Sequence, residues 1–323
     1  MNTNRIILAG GSGFLGQILS RHFAKRGWEV VVLSRRPRRS TGGERNVVWD
    51  GETPGPWIQE LDGATALVNL AGVSVNCRYH ERNRRLILDS RILSTRVLGE
   101  AIRRCAKSLR VWLNSSTATI YRHTFGAPWD EKGEIGGTRE AKDEFSVEVA
   151  KAWEREFAGA RTPETRKVAL RSAMVLGHGG NSVFPVLRRL VRCGLGGPMA
   201  GGDQFVSWIH ESDYCRAIEW LIARDDITGV VNLAAPEPLS NREMMRALRR
   251  VCRRRIGLPA PLWMLELGAF FLRTETELVI KSRRVISRRL PEAGFQFSFS
   301  STEHAFRDLS NESHRDEQPC AKP

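Results

Sequence analysis

The residues with the most telling spacing are ones with no side chain at all. Gly10, Gly13 and Gly16 stand three apart in RIILAGGSGFLG (5–16), directly after an apolar run. Such a loop can turn at φ > 0 and bring backbone N–H groups up to a phosphate with no Cβ in the way. From Phe14 onward FLGQILSRHFAKRG has helical periodicity. The loop therefore ends at a helix N-terminus, where the macrodipole favours an anion. A second apolar run, WEVVVLS (28–34), closes on Ser34-Arg35-Arg36. An acid at this point would accept from a ribose 2′-hydroxyl, whereas a guanidinium pairs with a 2′-phosphate. The chemistry expected is dinucleotide binding, with NADP(H) favoured over NAD(H).

Those residues need a scaffold, and apolar runs supply it. NVVW (46–49), TALVNLAG (65–72), RVWLNSS (110–116), KVALRSA (167–173) and GVVNLAA (229–235) read as further strands. Long helical stretches, notably 80–107 and 143–159, lie between them. This alternation predicts an α/β fold: a Rossmann-like doubly wound parallel sheet with right-handed crossovers. Ligands bind such sheets beyond the carboxyl ends of the strands, so the loops after Leu70, Ser116 and Arg171 should share a cleft with the glycine loop. Beyond 174 the pattern loosens into Gly-rich loops and helices, as a small C-terminal substrate-binding domain would. The boundaries expected are 1–173 plus about 205–235 for the nucleotide domain, and about 174–204 plus 236–309 for the smaller one. Residues 310–323 are polar without apolar periodicity and read as a disordered tail.

Composition bounds the alternatives. With 323 residues, 41% hydrophobic and 27% charged, the chain can build one large α/β unit, or a large and a small domain. The first strand begins within five residues of Met1, leaving no leader, and LPAPLWMLELGAFFL (258–272) is too short and too interrupted by Glu266 to span a bilayer. It reads instead as a helix packed on a core or pocket. The six cysteines (77, 105, 193, 215, 252, 320) form no C-x-x-C pair and no His cluster, which points to a reduced, cytoplasmic protein without a metal. The net charge of +14 comes from clusters at 35–39, 82–85, 188–192, 249–255 and 283–289. No recognition-helix motif, aromatic platform or RNA-binding signature accompanies them, which argues against nucleic acid. An acidic cofactor or substrate accounts for part of that charge.

Seven segments together resemble one family. They are GGSGFLG, VNLAG (68–72), SSTATIY (115–121), RSAMVLGHGG (171–180), GLGGPMAGGDQFVSWIHESD (194–213), NLAAPEPLSN (232–241) and EAGFQFSF (292–299). Across roughly 4–309 the chain is similar to the atypical extended short-chain dehydrogenase/reductases, epimerase-family proteins with a C-terminal domain of unknown function. The resemblance implies an NADP(H)-binding Rossmann-like domain and a small domain closing over a small-molecule substrate. It implies that Gly10, Gly13, Phe14, Leu15 and Gly16 wrap the pyrophosphate, with Ser34 and Arg35 at the 2′-phosphate. Leu70, Ala71 and Gly72 would pass the adenosine ribose, and Ser115 and Thr117 would face the nicotinamide half. Asp50 either approaches the adenine or caps the next turn, and Arg91 either reaches the cleft or pairs with Asp89.

Enzymes of this kind place a Ser or Thr on the substrate oxygen, a Tyr as acid/base, and a Lys four residues after the Tyr. Thr117 matches the first position. The tyrosines at 79, 121 and 214 are followed four residues on by Asn83, Phe125 and Ile218, so no Y-x-x-x-K exists. Lys151 stands near the expected lysine, but Val147 precedes it where a proton donor belongs. Two readings follow. In one, the chain is an NADP-dependent oxidoreductase or epimerase with a substituted acid/base, drawn from Tyr121, Glu148, His210 and Asp213, with Thr117 and Lys151 completing the site. His210 attracts because its unperturbed pKa is near neutrality. In the other, it binds NADP(H) without turnover, as a regulatory or assembly protein. Either a monomer or a homodimer fits: the long helices that pair in many extended relatives are highly charged here.

Overall fold

Each apolar run becomes a strand buried on both faces, because helices cover the sheet from either side. The computed structural model describes residues 4–37, 43–179, 182–266 and 275–316. In chain order the strands are β1 (Arg5–Ala9), β2 (Glu29–Ser34), β3 (Arg45–Val48), β4 (Ala66–Asn69), β5 (Val111–Thr117), β6 (Arg166–Ser172), β7 (Met174–Leu176), β8 (Phe205–Val206), β9 (Trp208–His210), β10 (Gly229–Leu233) and β11 (Leu239–Ser240). Seven of them form one sheet in the order β10-β6-β5-β4-β1-β2-β3, paired in parallel throughout. The winding reverses between β1 and β4, the switch point beside which open α/β sheets bind their ligands.

The helices are α1 (Phe14–Ala24), α2 (Glu81–Arg104), α3 (Glu144–Gly159), α4 (Val183–Arg192), α5 (Glu211–Ala223) and α6 (Asn241–Val251), then α7 (Glu277–Ile280), α8 (Arg289–Glu292) and α9 (Thr302–Asp316). Alternation along β1 divides the core. Ile6 and Leu8 pack with Leu19, Phe23, Ile218 and Leu221 of α1 and α5. Ile7 and Ala9 face the other way, toward Val97, Leu98 and Phe157 of α2 and α3. A third apolar cluster, including Phe184, Trp208, Met245 and Phe306, joins α4, α6 and α9.

Two expectations need correction. Helix α9 continues to Asp316, so 310–316 is not a disordered tail; residues 317–323 lie outside the described residues. Within 258–272, Pro259 and Pro261 confine helix to 262–266, and Leu258 and Trp263 stand 59% and 65% exposed rather than packed. Only Leu265 reaches the third cluster, and 267–272 lies outside the described residues. Among the described residues no helix is long and apolar enough to cross a membrane, and no group of three or more His, Cys, Asp or Glu could hold a metal ion.

Candidate functional site

The three glycines answer three different demands. Gly10 has φ +72°, and a Cβ there would lie 2.6 Å from the Ala71 Cα, so β1 and the end of β4 close directly on each other. Gly16 seats α1 against the loop itself: a Cβ would lie 2.1 Å from the Gly11 carbonyl oxygen. Gly13 touches nothing within 4 Å, leaving the outer face of the loop bare. It is the N-cap of α1, which has neither a side-chain cap nor an acid in its first turn. Its free N–H groups and dipole therefore face open space, the arrangement that receives a phosphate. The Phe14 ring lies against Gly177 and Gly179, so this residue can offer the loop only its backbone.

Buried polar side chains set the rest of the cleft edge. Asn69 donates to Asn114 Oδ1 (2.7 Å) and Thr95 Oγ1 (3.2 Å), while its own oxygen accepts from Ala71 N (3.0 Å). That network fixes how β4 leaves the sheet, and Leu70 N donates to Ala9 O at 2.8 Å. At the end of β2 the Ser34 hydroxyl donates to Arg36 O (2.7 Å), which turns the chain, and Arg35 stands exposed. Asp50 caps its own turn: Oδ1 accepts from Glu52 N and Thr53 N, each 2.8 Å away. Ser115 is buried with no partner for its hydroxyl, and Thr117 Oγ1 accepts from Thr119 N (3.1 Å) at the strand end.

A second group of side chains converges where α2, α3 and α7 begin. Ser146, in the first turn of α3, donates to Glu277 Oε2 at 2.8 Å. Glu277 opens α7, is 3% exposed, and leaves Oε1 without a partner. Burial raises its carboxyl above the usual carboxylate range, with the Ser146 hydrogen bond opposing. Tyr79, just before α2, has a buried phenol oxygen with no hydrogen-bond partner, and burial together with the charge of Glu277 pushes its pKa up to about 12. These groups line a cavity of about 360 Å³ with Phe145, Arg84 and Glu148. A carboxyl that holds its proton, linked to a hydroxyl, is the equipment of a general acid. Sequence spacing gave no hint of Tyr79, Ser146 or Glu277, which come from three distant segments.

Several expected residues are placed elsewhere. Tyr121 is 1% exposed; its hydroxyl donates to Asn232 Oδ1 (2.8 Å) and accepts from Arg171 Nη1 (2.9 Å). Arg171 in turn pairs with Glu154 through both arms, at 2.8 and 2.7 Å, so Tyr121 belongs to a buried structural network. Lys151 is exposed, and turns to a groove on the β10 flank of α3 with Arg155 and Gly229, because Val147, Ala150, Trp153 and Phe157 take the buried face. Asp213 is fully buried and accepts from Ser298 N (3.0 Å) and Phe299 N (2.8 Å), fastening the 292–299 segment. Of the acid/base candidates read from sequence, Glu148 alone lines the cavity with Tyr79 and Glu277.

His210 is likewise a structural residue. It is the N-cap of α5: Nδ1 accepts from Ser212 N (3.1 Å), and the ring stacks on Phe299 at 3.8 Å. Burial, with His178 and His304 nearby, pushes its pKa down to about 3, although Asp308 lies 3.3 Å from Nε2. Folded protein thus leaves His210 neutral where the unfolded chain takes up a proton near pH 6.5. Stability from this residue is intact above pH 6.5 and is lost as pH falls toward 3. Denaturant titrations at pH 7 and pH 5 should show a loss for the native protein that is about 1–2 kcal/mol smaller in His210→Asn. Equal losses in both proteins would show that His210 does not carry the dependence.

Known proteins share this arrangement. Residues 6–234 match the NAD dependent epimerase/dehydratase family, and residues 260–309 match a domain of unknown function, DUF1731. The human epimerase family protein SDR39U1 is 31% identical over 310 residues, covering 94% of this chain and 99% of the relative. The epimerase family protein YfhF of Bacillus subtilis is 29% identical over 307 residues, covering 94% and 97%. A crystal structure of human SDR39U1 (isoform2) with NADPH superposes with a TM-score of 0.82 at 29% identity, covering 95% of this chain and 99% of that one. MoeE5 in complex with UDP-glucuronic acid and NAD shares the fold, with a TM-score of 0.75 at 20% identity over 97% of this chain and all of that one.

Proposed function

The chain belongs to the NAD dependent epimerase/dehydratase family, and on that premise we propose that it is an NADP(H)-dependent oxidoreductase or epimerase acting on a small-molecule substrate. The observation that carries this reading is the bare, uncapped start of α1 at Gly13, with exposed Arg35 and no acid at the end of β2. Gly10, Gly13 and Gly16, with the backbone of Phe14 and Leu15, hold the pyrophosphate. Arg35 takes the 2′-phosphate while Ser34 holds the turn that presents it. Leu70, Ala71 and Gly72 form the floor, Asp50 shapes the adenine end through its turn, and Ser115 and Thr117 lie toward the nicotinamide end. When bound, the cofactor supplies or accepts a hydride. Proton transfer falls to the Ser146–Glu277 pair with Tyr79 and Glu148 around its cavity, in place of a Tyr-Lys pair. The nucleotide domain comprises 1–173 plus about 205–235, and the remainder to 309 closes over the substrate. A non-catalytic NADP(H)-binding role draws on Val147, a buried aliphatic where a proton donor would serve.

Titration calorimetry with NADPH, NADP⁺ and NADH tests the cofactor assignment. NADPH should bind more tightly than NADH, and Arg35→Ala should weaken NADPH roughly ten- to hundred-fold, the worth of charge-assisted hydrogen bonds to one phosphate, while leaving NADH nearly unchanged. Failure of all three nucleotides to bind would overturn both the enzymatic and the regulatory reading.

A further inference from the structure

Arg91 is a partly enclosed cation whose charge no carboxylate answers among the described residues. It projects from α2 toward Gly72, where an added Cβ would lie 3.1 Å from the guanidinium carbon, so only a bare backbone admits it. One nitrogen, Nη1, donates to Val73 O (3.2 Å) and Ile87 O (2.8 Å), and the guanidinium lies over the Trp153 ring at 5.2 Å. Nε and Nη2 donate to no described residue, yet neither is a sealed, unsatisfied donor. They stay open to a ligand. Burial pulls the Arg91 pKa down to about 10, and the only group offsetting that drop is the Tyr79 phenol. The Asp89 pairing considered from sequence does not form.

Holding a cation this way is costly without a counter-charge, and the remaining N–H groups of a planar fork suit phosphate oxygens or paired hydroxyls. Its position says which part of a ligand it would meet. Gly10 closes on Ala71, and Gly72 is the next residue, so Arg91 borders the phosphate loop on the side away from Arg35 at the end of β2. Beyond it lies Tyr79 and the Ser146–Glu277 cavity. We infer that Arg91 is a binding residue for the second-phosphate and nicotinamide-ribose half of the dinucleotide, supplying the cation that Lys151, on the other flank of α3, does not.

This inference rests on the cofactor reading above, and two probes separate their failures. NADPH carries the whole dinucleotide; 2′,5′-ADP carries the adenosine, the 2′-phosphate and one 5′-phosphate, but nothing of the nicotinamide half. Arg91→Met keeps an apolar stem on Trp153 and removes the fork. By calorimetry, Arg91→Met should bind NADPH about tenfold or more weakly and 2′,5′-ADP within about twofold of the unaltered protein. Arg35→Ala should weaken both. Unchanged NADPH affinity in Arg91→Met overturns the inference. Equal loss of both probes overturns it too, because Arg91 would then act only by holding the Val73 loop in place. If the unaltered protein binds neither probe, the cofactor reading has failed.

Discussion

Replacing Lys281 with methionine should lower the free energy of unfolding by about 3–5 kcal/mol, the cost of stranding one member of a buried ion pair. Lys281 is 1% exposed and its partner Asp143 fully buried. The ammonium also donates to Thr119 O at 2.5 Å, and Asp143 Oδ1 accepts from Thr138 N at 2.6 Å. Methionine fills the space but leaves the carboxylate with no cation in a medium that hydrates it poorly. The double variant Lys281→Met/Asp143→Asn should recover at least about 1 kcal/mol of the loss, since the stranded charge goes with it. Denaturant unfolding of the native protein, both single variants and the double variant checks this; a cycle that closes additively would show the pair to be uncoupled. The pair also has a positioning role. Asp143 immediately precedes α3 and Lys281 immediately follows α7, so it holds Ser146 against Glu277. Loosening it should open that hydrogen bond before it disturbs the glycine loop, which belongs to different elements.

The parts legible in the sequence are those governed by local pattern. Strands buried on both faces must be apolar at every position, so KVALRSA and GVVNLAA read as strands and place β6 and β10 to within one or two residues. The glycine loop was legible for a related reason: Gly10 and Gly16 are required by backbone approaches within one short segment and its strand neighbour. The chemical end was opaque because its members share no spacing. Tyr79, Arg91, Ser146 and Glu277 meet only when the ends of β4, α3 and α7 are brought together, and nothing local marks them. Residue type misled in the opposite direction at Tyr121 and His210. Both are chemically able side chains, but burial decides their fate, committing one to Asn232 and Arg171 and the other to capping α5. Glu148 escaped that fate because it stands exposed beside the cavity.

Within the glycine loop, two substitutions of the same size should have opposite consequences. At Gly16 a methyl group would meet the Gly11 carbonyl oxygen at 2.1 Å and its carbon at 2.3 Å. Both are backbone atoms of the loop, so no side chain can rotate aside, and α1 must move off β1. Gly16→Ala should therefore cost about 3 kcal/mol, the upper range for overpacking, and abolish NADPH binding as the helix N-terminus shifts. At Gly13 nothing lies within 4 Å and φ is −82°, so alanine fits the chain without strain. Gly13→Ala should change stability by less than about 1 kcal/mol, the scale of an altered N-cap. Its methyl, however, enters the open space from which a phosphate would approach the first N–H groups of α1. Calorimetry should therefore find NADPH affinity sharply reduced in a protein whose unfolding is nearly native. If Gly13→Ala bound NADPH as tightly as the unaltered chain, the phosphate site would have to lie off the start of α1, and the roles given to Arg35 and Arg91 on either side of it would fall together.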